Sequence, residues 1–251
     1  MSEIEELRIC ESHGPFRGEG CPECHEKGKG LLFSDEIEAI GRILAGMLRH
    51  FPENYGVRLN SHGFARIYSV VPAIRAERPR FRWIRAEHIA ALGMTDPRGR
   101  YEVIDEEEIR ATYGHTIEVN LSDLPTDNLP EIVYYQTTPE ELELLKETGI
   151  SPADKTYIHL SSTYRKAYVS GKFHVDDPLI IGIKASELME SGIPVYRASH
   201  EVYLTKEIPP SFMVDIEMEP VELTEEENEE LERFRRRRER RMGLDSGKEN
   251  F

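Results

Sequence analysis

The chain has 251 residues, 32 Lys or Arg against 47 Asp or Glu, a formal net charge of −15, 39% hydrophobic and 31% charged residues. That apolar share builds a real core and excludes a fully disordered chain, and the length suits one large domain or two modest ones. No stretch approaches the ~20 apolar residues that cross a bilayer, the acidic start lacks a signal-peptide run, and the overall acidity argues against a general nucleic-acid coat. A cytoplasmic, monomeric protein with no membrane partner is expected.

Charge is unevenly spread. Segments 1–30, 31–120, 121–220 and 221–251 carry −3, −1, −9 and −2. The nearly neutral segment 31–120 holds 12 Arg and no Lys. A planar guanidinium fork matches two phosphate oxygens at once, although a surface salt-bridge network reads the same way.

All three cysteines, Cys10, Cys21 and Cys24, lie in the run C-E-S-H-G-P-F-R-G-E-G-C-P-E-C-H. Cys10-x2-His13 and Cys21-x2-Cys24 are two ligand pairs, each with the gap that lets a tight turn offer both ligands to one tetrahedral ion. The reading is a closed structural zinc knuckle over residues 1–30; reduced surface thiols beside a chance histidine are the plain alternative. His25, directly after Cys24, competes with His13 for the fourth place. An internal disulfide framework is not expected.

After a flexible GKGKG connector, Ser34 is read as the N-cap of a helix with Asp35 and Glu36 in its first turn. Ile37, Ile40, Leu44, Met47 and Leu48 recur at helical spacing, and Pro52 ends the run. Asn60, Ser61 and Gly63 mark a turn, Ile67 to Ile74 is apolar, and a charged helix is expected over roughly 85–92. Residues 95–119 read as a hairpin or small sheet, with a turn at Asp96-Pro97-Arg98-Gly99 and alternating strands at Tyr101 to Ile104 and Ile117 to Val119. Helices followed by a small hairpin suggest a winged-helix-like lobe over 31–122.

Leu124-Pro125 to Leu129-Pro130 is a proline-bearing linker. Strand signals follow at 132–135, 157–160, 179–183 and 202–204, with helical patterns at about 138–148 and 162–171. This describes an α+β lobe over 123–220 with a mixed or antiparallel sheet. The last segment, 221–251, has seven Glu and no base from Glu222 to Glu232, then seven Arg and one Glu from Arg233 to Arg241. It reads as a polar helix or a disordered extension, solvated or touching RNA through its arginines.

No Walker loop, no G-x-G-x-x-G after a strand and no His-Glu-x-x-His helix is present. What remains is a set of Arg and His pairs near glycines. Leu48-Arg49-His50 ends the first helix, and Ile109-Arg110-Ala111 precedes Gly114-His115-Thr116. Two arginines and two histidines beside open backbone suit a phosphate with several anionic oxygens. A helix-terminal His50 set against the dipole is an equally good plain account.

In this order the motifs resemble the RNA 2′-phosphotransferase family of the KptA type, over about residues 34–214. The family pattern L-R-H, H-G-F/W, I-R-A-x-x-G-H-S/T, Y-H-G-T, V-H-L-S and V-W/Y-L-T-x-x-V-P-P is met in sequence. Its counterparts are Leu48-Arg49-His50, His62-Gly63-Phe64, Ile109 to Thr116, Tyr134-Tyr135-Gln136-Thr137, Ile158-His159-Leu160-Ser161, and Val202 to Thr205 with Ile208-Pro209-Pro210. The cysteine knuckle resembles an N-terminal addition of archaeal members.

The resemblance implies an RNA-binding winged-helix lobe and an ADP-ribosyltransferase-like mixed-sheet lobe that binds NAD as co-substrate. It implies transfer of an internal RNA 2′-phosphate, as in tRNA splicing, to NAD. The products are RNA with a free 2′-hydroxyl, ADP-ribose 1″,2″-cyclic phosphate and nicotinamide. Arg49, His50 and Arg110 match the catalytic positions, Gly114, His115 and Thr116 an RNA phosphate turn, and Tyr135, Thr137, His159 and Ser161 the NAD side. The chain departs from the pattern in two places. Tyr135-Gln136 stands where His-Gly is expected, and no arginine follows Ala167-Tyr168-Val169-Ser170-Gly171. Lys172 or His174 is the candidate substitute, His174 acting as a cation as pH falls towards ~6.5. These departures keep two alternatives open: an RNA-binding module with weakened catalysis, and an ADP-ribosyltransferase acting on nucleic-acid phosphate ends.

Overall fold

The structure, a computed structural model, describes residues 6–245; the outermost residues of the knuckle and tail segments, 1–5 and 246–251, lie outside the described residues. The chain opens with a three-stranded antiparallel sheet, β1 (Leu7–Cys10), β2 (Gly14–Arg17) and β3 (Lys29–Leu32), in the order β2-β1-β3. Leu7 and Leu32 pass into the core of the next unit, and the Arg17 side chain donates to the Thr95 carbonyl at 3.0 Å. The knuckle is thereby seated on the body of the protein.

Helix α1 (Ser34–Arg49) buries Ile37, Ile40, Ile43, Leu44, Met47 and Leu48 on one stripe. Its N-cap is Phe33 rather than Ser34, because the Glu36 carboxylate reaches back to accept from the Phe33 N–H at 2.9 Å. The apolar run after Gly63 folds as helix α2 (Ile67–Glu77) and the charged stretch as α3 (Ala86–Met94). These helices pack on a small antiparallel sheet of β4 (Ala65–Arg66), β5 (Tyr101–Ile104) and β6 (Glu108–Ala111), ordered β4-β6-β5. The expected strand at Ile117 to Val119 does not form. Tyr101 to Ile104 pairs instead with Glu108–Ala111 across a turn in which Asp105 and Glu106 take positive φ of 49° and 57°. An acidic run conceals that turn, since its residues carry no Gly or Pro signal.

After the linker comes a six-stranded sheet of β7 (Ile132–Thr137), β8 (Ile158–Ser161), β9 (Leu179–Lys184), β10 (Tyr196–Arg197), β11 (Val202–Thr205) and β12 (Met213–Asp215). The order is β10-β11-β8-β7-β9-β12, and every pairing is antiparallel. The mixed sheet expected for this lobe is corrected on this point. Helix α5 (Tyr164–Lys172) does link two strands that run the same way, β8 and β9, but β7 lies between them. A β-α-β pattern in sequence therefore yields no parallel neighbours here. Helices α4 (Pro139–Thr148) and α6 (Ala185–Glu190) complete the lobe.

Two apolar cores result, one from Leu7 to Ala111 and one from Val133 to Ile208. A third cluster joins them: Val119, Leu121 and Leu124 of the connecting segment pack with Tyr157, Ala198 and Leu204. The charged tail is helix α7 (Glu225–Asp245), and among the described residues no helix is long and apolar enough to cross a membrane.

Candidate active site at the seam between the lobes

Arg49 is the last residue of α1, where the helix dipole favours a cation. Its guanidinium lies over the Tyr113 ring, 5.0 Å from the centroid. Nε and Nη2 are buried with no hydrogen-bond partner, and burial pulls the pKa below the ordinary arginine value. Gly114, at φ +85°, passes so close that a Cβ there would stand 3.2 Å from Arg49 Nη1. Only glycine lets the backbone take this left-handed turn against the guanidinium.

The segment after Gly114 is stitched to both lobes. Thr116 N–H donates to the Arg49 carbonyl at 3.0 Å, and His50 Nδ1 is 3.0 Å from Thr116 Oγ1. From the other side, Gly114 N–H donates to His159 Nε2 at 3.0 Å, and Thr156 N–H donates to the His115 carbonyl at 3.1 Å. His159 Nδ1 lies 3.0 Å from the Tyr157 carbonyl. The tautomer follows: Nδ1 carries the proton and Nε2 accepts. Burial first, then Lys155, push the His159 pKa down to about 3. His115 is 2% exposed with neither ring nitrogen partnered, and burial followed by Arg49 and Arg110 lowers its pKa to about 4. Burial, Arg49 and Lys155 also lower that of His50. The three imidazoles are neutral at pH 7, so the positive charges felt at the seam are those of Arg49, Arg110 and Lys155.

Arg110, matched by the same motif set as Arg49, has a different set of partners. It is 1% exposed, and all three guanidinium nitrogens are engaged. Nε and Nη2 meet Glu102 at 2.7 and 2.6 Å, and Nη1 meets Asp123 at 3.0 Å and the His62 carbonyl at 3.2 Å. Phe64 covers its face at 4.4 Å. Both charges reach His115, Arg110 from a paired guanidinium and Arg49 from one with two nitrogens unpartnered. Two of the three N–H groups in the 114–116 turn, those of Gly114 and Thr116, are likewise committed inside the protein.

Beyond His159 a cleft of about 390 Å³ opens into the second lobe, lined by Tyr135, Gln136, Thr137, Lys155, His159 and His174 among others. Thr137 is buried and donates to Glu141 at 3.3 Å. Ser161, on the same face of β8 as His159, is not among the lining residues. Gln136 packs opposite Gly171, where a Cβ would come within 3.2 Å of the glutamine Cβ and 2.5 Å of Pro178. Lys172 turns away: its ammonium donates to the Asp176 carbonyl and lies 5.8 Å from the Tyr168 ring. His174 does line the cleft, but burial and then Lys155 lower its pKa. Lys155 was not legible in sequence. It sits in an irregular Ser-Pro-Ala-Asp-Lys loop, and its charge reaches His50, His159 and His174 alike.

Comparison with known proteins places the chain in a family. The family model described as RNA 2′-phosphotransferase, Tpt1 / KptA family, matches residues 35–207, which hold every residue of the seam. The chain belongs to the RNA 2′-phosphotransferase family. It is 50% identical over 232 residues to a probable RNA 2′-phosphotransferase of Thermoplasma acidophilum, covering 92% of this chain and 97% of the relative. Its counterpart in Thermoplasma volcanium is 48% identical over the same shares. A probable RNA 2′-phosphotransferase 1 of Archaeoglobus fulgidus is 35% identical over 84% of this chain and 94% of its own. The chain is a transferase of this family with archaeal relatives.

In this family member the cysteine cluster stands apart from the seam. Cys10, His13, Cys21 and Cys24 bring their ligand atoms within 4.8 Å of one another. Cys10 Sγ lies 3.5 Å from His13 Nδ1 and 3.6 Å from Cys24 Sγ, and Cys21 Sγ lies 3.6 Å from the same Nδ1. A tetrahedral zinc with ~2.3 Å sulfur and ~2.0 Å nitrogen bonds sets edges of about 3.5–3.8 Å. The donor set fits such an ion, and His13 rather than His25 completes it.

Proposed function

We propose that this protein is an NAD-dependent RNA 2′-phosphotransferase acting on RNA that carries an internal 2′-phosphate, with tRNA in that class. The observation that carries the reading is the half-buried Arg49 guanidinium, whose Nε and Nη2 are buried without a partner. A buried cation without a partner is costly, and a phosphate delivered between the lobes supplies the missing acceptors. His50 and the His115-Thr116 backbone flank the same point. Arg110 backs it through charge and by holding the His62 loop.

The cleft beyond His159 is the place for NAD, with Tyr135, Thr137 and His159 as contacts and Lys155 as a nearby cation. Ser161 belongs to this set by its position on β8. When bound there, NAD supplies the anomeric carbon that the 2′-phosphate attacks, nicotinamide leaving. The phosphate is already an anion, so the protein needs no strong base for that step. It needs to hold two reacting groups in line, which the shared turn at Gly114 does by bonding to α1 on one side and His159 on the other. In the second step the ribose 2″-hydroxyl would attack the phosphorus and the bond to the RNA 2′-oxygen would break; His50, neutral at pH 7, can take the hydroxyl proton, and the departing 2′-oxygen takes one up. The RNA product then carries a free 2′-hydroxyl, and the other products are ADP-ribose 1″,2″-cyclic phosphate and nicotinamide. The Cys10, His13, Cys21 and Cys24 set holds one structural zinc.

Incubation with NAD and a short RNA bearing one internal 2′-phosphate tests the reading. Dephosphorylated RNA and free nicotinamide are expected; RNA that keeps its phosphate overturns it. The second reading, an RNA-binding module with weakened catalysis, is favoured by the commitment of Lys172 to Asp176. It predicts RNA binding without nicotinamide release.

A further inference from the structure

Helix α7 lies beyond the region that the family model matches, 35–207. Its acidic half is an anchor. Thr224 and Glu227 cap the helix reciprocally, Thr224 N–H donating to the Glu227 carboxylate at 2.9 Å and Glu227 N–H to Thr224 Oγ1 at 3.2 Å. The Glu227 carboxylate also receives both arms of Arg165 on α5, at 2.7 and 2.6 Å. One turn on, Glu230 meets Arg98 of the first lobe at 3.2 Å. Leu231 is buried, and Phe234 sets its ring against Phe173 at 5.4 Å. Arg235 pairs with Asp176. Positions 227, 231, 234, 235 and 238 fall on one helix face, so α7 lies along the second lobe, and the Glu230–Arg98 pair at the edge of that face ties it to the first.

The same face carries the basic half to the cleft. Phe173 and Asp176, which hold Phe234 and Arg235, bracket His174 and Val175, which line the cleft. Arg238 follows Phe234 by one turn on that face. It is exposed and has no acidic partner among the described residues, while its charge reaches His174. The arginine block from Arg233 to Arg241 covers nine residues, or ~13 Å of helix at ~1.5 Å per residue. That is longer than one phosphate pair and suits an extended polyanion. In a protein of net charge −15, seven arginines within nine residues are a local reversal of sign along the sequence.

We propose that the arginine half of α7, with Arg238 foremost, is an RNA-backbone binding rim that holds the strand beside the reacting phosphate. The acidic half anchors the helix, and Arg238 is left to meet the strand, whereas Arg233, Arg235 and Arg236 pair with Glu229, Asp176 and Glu232. This rests on the proposed function only in taking RNA as the macromolecule that comes to the seam beside the cleft.

The test uses the full chain and a short single-stranded RNA with one internal 2′-phosphate, its affinity followed against salt. Each phosphate neutralised on a single strand contributes ~0.7 to the slope of log affinity against log salt. Arg238→Ala should lower the slope by about that amount and weaken low-salt binding several-fold, while Arg238→Lys keeps the slope and NAD affinity stays as in the wild type. An unchanged slope in Arg238→Ala overturns the proposal, as does a loss confined to NAD affinity, which would assign the rim to the dinucleotide pyrophosphate. The two readings fail separately. Phosphate transfer with no salt effect from Arg238→Ala sinks the rim alone; a salt effect without transfer sinks the phosphotransferase reading alone.

Discussion

Two arginines matched to one motif set have opposite physical situations. Arg49 is half-buried, with two buried guanidinium nitrogens unpartnered, and is pressed on Gly114; Arg110 is buried and engaged by Glu102, Asp123 and a carbonyl. Truncating each should therefore part activity from stability. Arg49→Ala should slow phosphate transfer by ~10²–10³, the loss typical of one preorganised donor. Its unfolding midpoint should stay the same or rise, because a cost carried for function is removed. Arg110→Ala should destabilise by about 3 kcal/mol, the low end for a broken buried pair, since its carboxylate partners are half-exposed. Denaturant titration of both variants beside single-turnover transfer checks this. A destabilised Arg49→Ala, or an Arg110→Ala of native stability, would reverse the two roles.

At the scale of elements, two local arrangements invite direct tests. Gly171 gives Gln136 its room, and an added Cβ would overlap Pro178 at 2.5 Å. Gly171→Ala should therefore move the segment that lines the cleft and weaken NAD binding while RNA binding holds; equal affinity in calorimetry would show that the segment absorbs the change. The knuckle is the second. One zinc per chain is expected by elemental analysis, and its removal should loosen β1 to β3 without abolishing transfer, since the seam lies elsewhere. Metal-free protein purified without chelator would contradict this. Helix α1 was legible because a long amphipathic period has one reading. The partner of β5 was not, because Asp105-Glu106-Glu107 looks like a solvated acidic run and turns only through two left-handed residues.

For the whole molecule, the neutral histidines of the seam couple stability to pH. His159 and His115 have native pKa values near 3 and 4 against ~6.5 for an unfolded histidine. The unfolded chain thus binds more protons below pH ~6.5, and stability falls with pH from there to about 4. The slope is up to ~1.4 kcal/mol per pH unit for each histidine. Asp96 and Asp123, whose arginine partners Arg100 and Arg110 lower their pKa values, add to the loss only at still lower pH. Urea unfolding at pH 7 and 5 should show the decline, and His159→Gln should flatten it; a flat profile in the native protein would mean these histidines protonate freely. His174 is also depressed, so any gain from its positive charge should come below pH 6.5.

The sequence alone was enough for the α+β class, the position of α1, the paired ligand spacing of the knuckle and the membership that the ordered motifs suggested. These are local signals: a period, a gap, a short string of residues. Tertiary structure alone decided that β7 separates β8 from β9, that Arg49 is bare while Arg110 is paired, that Lys155 reaches three histidines, and that the tail is a helix strapped across both lobes. Each of these depends on partners far apart in the chain, such as Arg110 with Asp123, Gly114 with His159, Arg98 with Glu230 and Phe173 with Phe234. Whether a charge is spent on a partner or kept for a ligand is a property of its neighbours in space, and spacing along the chain does not encode it.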